Sequence, residues 1–546
     1  MSKKNTSILL RTLWVVALIL IGAVSVRVAD YYQGPRVVKV AQNNKIDLLL
    51  SLVKRQYVDT VNMHEIIEEA MPAILSELDP HSSYIPAEDN QEATDQLEGS
   101  FFGIGVMFSI HKDTVHINDV VKGGPSEKVG LRAGDRIVGV DDTTFVGKKV
   151  TNHLVMKKLK GPKDSKVKLD IKRTGADEIL HFTVTRDRIS QNSIETAYMI
   201  RPGIGYIQID RFARTTPMEM ISAIAQLNHD GCKGLIIDLR SNGGGYMSSA
   251  IQMVNEFLER GDLIVYSQGR AYPRMEEFAD GTGSSKQTPI VVLIDEQSAS
   301  ASEIFSGAIQ DNDRGTIIGR RSFGKGLVQQ PISFSDNSTV RLTVARYYTP
   351  SGRCIQRPYT NGRDKEYKYD WFNRFEHGEL YHKDSIHLDS SKVYTTSHLA
   401  RKVYGGGGIM PDIFVPRDTT GTSSYLTDVL VRGLITQYTF DYSDKHRITL
   451  EKYKDLKSMI EYLNTQDLVN KFIPFATKKG IKARTRLINK SYSLLRMNIY
   501  GGIIYNVLGR QSYITFINQT DNTVKRAIKV LEEGKANPQT NSAQSK

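Results

Sequence analysis

The chain has 546 residues, too many for one core, and ordinary domain sizes divide it into three or four. Hydrophobic residues make up 40% and charged residues 24%, values that exclude a largely disordered protein. The formal net charge of +12 raises nucleic acid as a partner, but the positive residues are scattered and come with no zinc-ligand spacing, RNP-like motif or basic arm, so no nucleic-acid partner is expected.

Lys3, Lys4 and Arg11 precede an apolar run over residues 13–26, the layout of an export signal with a charged n-region and an apolar h-region. The run is shorter than the ~20 residues that comfortably span a bilayer. No A-x-A site follows, and Arg27 stands where a cleavage region should be small and neutral. Residues 1–30 are therefore read as a signal peptide or an uncleaved signal anchor, both alternatives staying open. The body of the protein is expected to be exported to the periplasm, held at the inner membrane if the segment is retained.

Residues 31–98 read as helical, with Ile46, Leu49, Leu50 and Val53 on one face and Ile66, Ile67, Ala70, Ile74 and Leu75 on the next. Leu78-Asp79-Pro80-His81-Ser82 is turn chemistry, and His81 is read as a hydrogen-bonding turn residue in preference to a catalytic one. Residues 99–190 change to strands at 106–110, 115–120, 136–140, 167–171 and 181–185, with a short helix opened by Gly123-Gly124-Pro125-Ser126. Phe102-Gly103-Ile104-Gly105-Val106 is a glycine-flanked loop running into the first of them.

Over 204–350 the texture is βαβ. Strands at 204–209, 235–239, 290–294, 316–318 and 339–347 alternate with helices at 217–228, 248–259 and 301–310, predicting a parallel α/β core. Residues 359–401 are polar, aromatic and irregular, and read as an insertion. Beyond residue 423 the pattern is helical to about 533, and residues 535–546 are expected to be disordered.

Chemistry concentrates at Asp295-Glu296-Gln297-Ser298-Ala299-Ser300-Ala301-Ser302-Glu303, where small residues crowd a strand-to-helix junction. Such a turn exposes a hydroxyl, and the helix N-terminus offers free N–H groups to an oxyanion. Simple helix capping explains the same residues. Phe323-Gly324-Lys325-Gly326, with Gln329 four residues after the lysine, supplies an amine that acts as a base only if burial or a nearby cation lowers its pKa. No histidine occurs from residue 230 to 356, which favours a serine–lysine couple over a serine–histidine triad; histidines 229, 377 and 382 lie outside that segment and could return in space. Gly319 to Lys325 matches a P-loop for seven positions, but Gly326 stands where Ser or Thr would hold magnesium, and no nucleotide, metal or other cofactor is expected. Asp238-Leu239-Arg240-Ser241-Asn242-Gly243-Gly244-Gly245 is either an oxyanion-donating nest or a plain tight turn. Two cysteines, Cys232 and Cys354, exclude a disulfide framework, and two free thiols are the expected state.

Taken in this order, these motifs, with Tyr57-Val58-Asp59 and residues 406–412, resemble the C-terminal processing (tail-specific) proteases over about residues 45–416. The resemblance implies a multidomain α+β protein: a helical N-terminal region, a PDZ-like β-rich domain at 99–190, a crotonase-like βαβ serine protease core at 191–420 carrying the 359–401 insertion, and a helical C-terminal extension at 421–546. It implies Ser300 as nucleophile, chosen over Ser298 and Ser302 by a 25-residue spacing to the lysine. It further implies Lys325 as general base, Gln329 as the residue orienting it, the Ala301 N–H with Gly243 or Gly244 as oxyanion donors, and Asp311 as a polar support. Gly103, Ile104 and Gly105 would capture a terminal carboxylate, with Ile104 and Val106 lining an apolar pocket. The expected partners are proteins or peptides with accessible C-termini, and a homo-oligomer is left open. A non-catalytic PDZ-bearing scaffold is the competing reading.

Overall fold

The computed structural model describes residues 45–362 and 364–538, with Trp14, Ala17 and Gly22, so all but those three residues of the expected export segment lie outside the described residues. No described helix is long and apolar enough to cross a membrane. The chain divides into two compact units, residues 1–71 and 72–546. In the first, α1 (Lys45–Gln56) buries none of its residues, and α2 (Met63–Ser76) begins where the Asn62 side chain accepts the His64 N–H at 3.1 Å.

The second unit begins at Pro72 with the last residues of α2 and continues with β1 (Ser83–Ile85) and α3 (Ala87–Glu98), which Gly99 ends in the left-handed conformation. A β-rich domain follows: β2 (Ser100–Gly103), β3 (Val106–His111), β4 (Thr114–Val120), α4 (Pro125–Lys128), β5 (Arg136–Val140), β6 (Thr143–Thr144), α5 (Asn152–Leu159), β7 (Lys166–Lys172), β8 (Leu180–Thr185) and β9 (Asp187–Ser190). Its antiparallel sheet runs β3-β4-β5-β7-β8, with β6 on β5, while β2 pairs with β9. Alternate residues of β7 (Val167, Leu169, Ile171) point inward to join Ile104, Val115, Ile137 and Val155 in one core. On its other side β3 has no partner strand among the described residues.

The α/β core comprises β10 (Thr196–Arg201), β11 (Ile204–Gln208), α6 (Thr216–His229), β12 (Gly234–Asp238), α7 (Met247–Asn255), β13 (Leu263–Gln268), β14 (Met275–Phe278), β15 (Ile290–Ile294), α8 (Ala301–Asp311), β16 (Thr316–Gly319), β17 (Leu327–Ser333) and β18 (Thr339–Tyr348). The main sheet runs β10-β11-β12-β15-β16-β21, where β21 is Ile413–Phe414, and is parallel from β11 onward. Every residue of β12 and β15 is buried, because both faces are covered. Leu235 and Ile237 pack on the side of α6, α7 and α8, whereas Ile236 meets Val524 and Ala527 on the opposite side. A second, antiparallel sheet runs β1-β18-β13-β14, with β17 on β18. Helix α7 stops at Asn255, short of the expected residue 259. There Asn255 and Glu256 turn their side chains to hold Asp280 and Ser284.

Residues 359–401 are more regular than the sequence predicts. They form α9 (Asp364–Glu376) and β19 (Val393–Thr395), which pairs with β20 (Lys402–Tyr404). The C-terminal region is helical as expected: α10 (Ser424–Val431), α11 (Leu434–Lys445), α12 (Arg447–Leu450), α13 (Leu456–Asn464), α14 (Leu468–Lys478), α15 (Thr485–Lys490), α16 (Tyr492–Asn518) and α17 (Asn522–Glu532). Helix α17 docks on the main sheet, and the chain beyond it stays packed. Ala536 is buried and its carbonyl accepts the Thr316 hydroxyl at 2.7 Å, so disorder does not begin at 535; residues 539–546 lie outside the described residues.

Candidate active site

Ser300 stands between β15 and α8 with φ 56° and ψ −114°, a conformation that L-residues adopt only under constraint. The constraint is visible in its neighbours. Ser298 is fully buried and donates its hydroxyl to the Leu239 carbonyl at 2.8 Å; Ser302 is fully buried and donates to the Asn242 carbonyl at 2.9 Å. Ser300 alone of the three is half-buried, so the fold separates it from its neighbours independently of any spacing.

The loop after β12 comes close to this turn. Ala299 N–H donates to the Asn242 carbonyl at 3.0 Å, and a Cβ placed on Gly244 would lie 2.8 Å from Ser300 Cβ. The two candidate glycines differ. Gly244 N–H is taken by the Asn242 Oδ1 at 2.8 Å, which removes it as an oxyanion donor. The Gly243 and Ala301 N–H groups have no acceptor among the described residues, and Gly243 faces open space.

Lys325 lies on the segment between β16 and β17. Its Nζ donates to Gln329 Oε1 at 3.0 Å, and Gln329 Nε2 in turn donates to the His81 carbonyl. Among the described residues no hydrogen bond joins Nζ to the Ser300 hydroxyl. Burial, and next the Arg341 charge, hold the Lys325 pKa below its ordinary value, against Glu303 and Asp79, which raise it. His81 thus enters the site through its carbonyl. The turn that carries it is held by Asp79, whose Oδ1 accepts the His81 and Ser82 N–H groups, each at 2.9 Å. The His81 ring meets the Tyr367 hydroxyl at 2.9 Å and is held neutral at ordinary pH, its pKa pushed down to about 4 by burial and by Lys325. Tyr367, on α9 of the insertion, also sandwiches Arg357 against Phe323 at 3.8 and 4.0 Å. Sequence reasoning missed this contribution because the insertion carries no strong amphipathic period.

Glu303 explains why the P-loop-like segment is not a phosphate cradle. Its carboxylate accepts the Gly324 N–H at 2.7 Å and the Lys325 N–H at 2.8 Å, the amides an anion would need. Among the described residues no cluster of acidic, histidine and cysteine side chains is placed to hold a metal ion. Asp311 is not with the pair. It ends α8, about 16 Å along the axis from Ser300 at 1.5 Å per residue, and pairs instead with Arg353 at 2.7 Å, both side chains having no exposure. Cys232 and Cys354 are free and half-buried.

In the β-rich domain Gly105 has φ 76°, and the loop carbonyls of Ile104 and Gly105 accept the N–H groups of Ser126 (3.0 Å) and Val121 (2.9 Å). The Ile104 and Gly105 N–H groups have no acceptor among the described residues. The Ile104 side chain is 2% exposed and belongs to the domain core beneath the loop; Val106 is half-buried beside it.

Comparison with known proteins gives the class. Residues 203–362 match peptidase family S41, residues 103–184 match the PDZ domain, and residues 425–509 match a family of unknown function, DUF8443. A carboxy-terminal-processing protease of Bartonella bacilliformis is 37% identical over 309 residues, covering 56% of this chain and 70% of its own length. The carboxy-terminal processing protease CtpB of Bacillus subtilis is 32% identical, covering 58% of this chain and 65% of its own. A solved photosystem II D1 C-terminal processing protease aligns at 29% identity with a TM-score of 0.33, covering 58% of this chain and 91% of its own. The protein is a serine-type peptidase with a PDZ domain. More particularly, the chain belongs to the carboxy-terminal processing protease family.

Proposed function

We propose that this peptidase is an endopeptidase working through a Ser300/Lys325 couple, cutting exported proteins near their C-termini after its PDZ domain has captured the tail. One observation carries the reading. The single half-buried serine of residues 295–303 stands at the head of α8 beside two amides with no acceptor among the described residues, and Lys325 offers a half-buried amine of lowered pKa. Neutral Lys325 takes the Ser300 proton while Gln329 orients its amine. The alkoxide attacks the peptide carbonyl, and the N–H groups of Ala301 and Gly243 hold the tetrahedral oxyanion. Lys325 then returns the proton to the leaving amine, and water releases the acyl-enzyme.

The edge of β3, unpaired among the described residues, fits an added peptide strand, and the amides of Ile104 and Gly105, without acceptors among those residues, fit its carboxylate. Export rests on the basic-then-apolar order of residues 3–26, with retention at the inner membrane if that segment is uncleaved; N-terminal sequencing of the mature protein decides between anchor and leader.

The test is hydrolysis of an unfolded protein ending in an apolar tail, by the full chain and by Ser300→Ala and Lys325→Ala. Activity should vanish in both variants. The same substrate with an amidated C-terminus should be cut more slowly. Full activity in either variant removes the couple, and equal rates on both substrates remove carboxylate capture.

A further inference from the structure

Two buried side chains that exchange no proton in this cycle each touch both reacting residues. Glu303, with no exposure, accepts four donors. Its Oε2 takes the N–H of Ser300 at 2.9 Å and of Lys325 at 2.8 Å; its Oε1 takes the N–H of Gly324 at 2.7 Å and the Ser322 hydroxyl. Tyr347, 1% exposed on β18, sets its hydroxyl 2.6 Å from the Lys325 carbonyl and 3.1 Å from the Ser300 carbonyl. A phenol has one proton, so it serves one carbonyl at a time, and the shorter contact marks the principal acceptor.

We infer that Glu303 and Tyr347 are positioning residues that lock the Ser300 backbone to the Lys325 backbone, Glu303 from the amide side and Tyr347 from the carbonyl side. The inference rests on the Ser300/Lys325 reading. Helix capping alone does not account for Glu303. A capping glutamate at the third helical position needs only the N–H of the residue before the helix, whereas three of the four donors here come from residues 322–325. Nor is burying a carboxylate and a phenol at this point a gain in packing by itself. An ionised carboxylate is costly away from water unless donors surround it, and the same four donors favour its charged form against burial, which raises its pKa. The arrangement makes the separation of nucleophile and base a property of one rigid node, although the two residues lie 25 positions apart on different elements.

Glu303 also acts through charge. The groups that bear on the Lys325 amine are Arg341 from β18, which lowers its pKa, and Asp79 from the turn before β1 with Glu303 from α8, which raise it; His81 faces it as a neutral ring. Removing the Glu303 charge therefore lowers the Lys325 pKa and moves the acid limb of the rate profile to lower pH.

The experiment measures kcat, KM and the pH dependence of kcat/KM for the full chain, Tyr347→Phe, Glu303→Gln, Ser300→Ala and Lys325→Ala on one apolar-tailed substrate. Tyr347→Phe, which keeps the ring, should lose roughly 10- to 100-fold in kcat with KM within about twofold. Glu303→Gln should lose at least as much and shift its acid limb downward. Wild-type kcat in Tyr347→Phe, or an unmoved limb in Glu303→Gln, overturns the inference while inactive Ser300→Ala and Lys325→Ala leave the couple standing. Activity in Ser300→Ala or Lys325→Ala overturns the couple and the inference with it. If Glu303→Gln yields no folded or measurable enzyme, the Tyr347→Phe kcat decides alone.

Discussion

Replacing Gly244 by alanine tests how tightly the glycine loop is set against the nucleophile. Gly244 has φ 102°, where a side chain is strained, at about 1–3 kcal/mol. Its Cβ would lie 2.8 Å from the Ala299 carbonyl oxygen, 2.8 Å from Ser300 Cβ and 3.0 Å from Ala301 N, where ordinary contact begins at 3.4 Å. Relief from 2.8 to 3.4 Å moves the Ser300 turn or the loop by about 0.6 Å. A displacement approaching 1 Å costs on the order of 100-fold in rate, and misalignment of one oxyanion donor a comparable factor. We expect kcat/KM to fall about 100-fold, close to 2.7 kcal/mol of transition-state stabilisation. Gly243→Ala is the internal control for folding. Its Cβ meets nothing within 4 Å, so thermal unfolding should match the parent within about 1 kcal/mol. Peptide hydrolysis and a circular-dichroism melt of both variants complete the assay. Parental kcat/KM in Gly244→Ala would refute the reasoning, since it would mean that the loop and the serine are not packed as described.

Burial and Arg341 lower the Lys325 pKa, so the amine is neutral above that lowered value and kcat/KM should rise with pH through it. Arg341→Gln removes one lowering charge, and a pH–rate profile should show the acid limb moved to higher pH. Asp311→Ala leaves the Arg353 guanidinium buried without its carboxylate and should destabilise the core by about 3–5 kcal/mol, read as a lower melting temperature. Arg357→Lys cannot stack its charge between Phe323 and Tyr367 as a planar guanidinium does, and should cost about 1–2 kcal/mol in the same melt.

Much of the fold is local and was legible. The near-continuous apolar runs at 235–239, broken only by Asp238, and at 290–294 announce a sheet covered on both faces, and the observed β12 and β15 are buried throughout. Alternation at 167–171 gives the inward face of β7. The small-residue junction at 298–302 and the glycine-flanked Lys325 are likewise written in residue type and spacing. These follow from periodicity and turn chemistry, which act over a few residues.

Tertiary structure decided what depends on partners distant in the chain. Only folding sets Gln329 against the carbonyl of His81, brings Tyr367 of the insertion to the same histidine, and gives Glu303 both Ser300 and Lys325 as donors. It also divides Gly243 from Gly244 by committing one amide to Asn242, and places Asp311 at the far end of its helix, on Arg353. The physical reason is that a hydrogen bond depends on ångströms and angles fixed by the packing of several elements, and no local pattern records which distant group will fill that position.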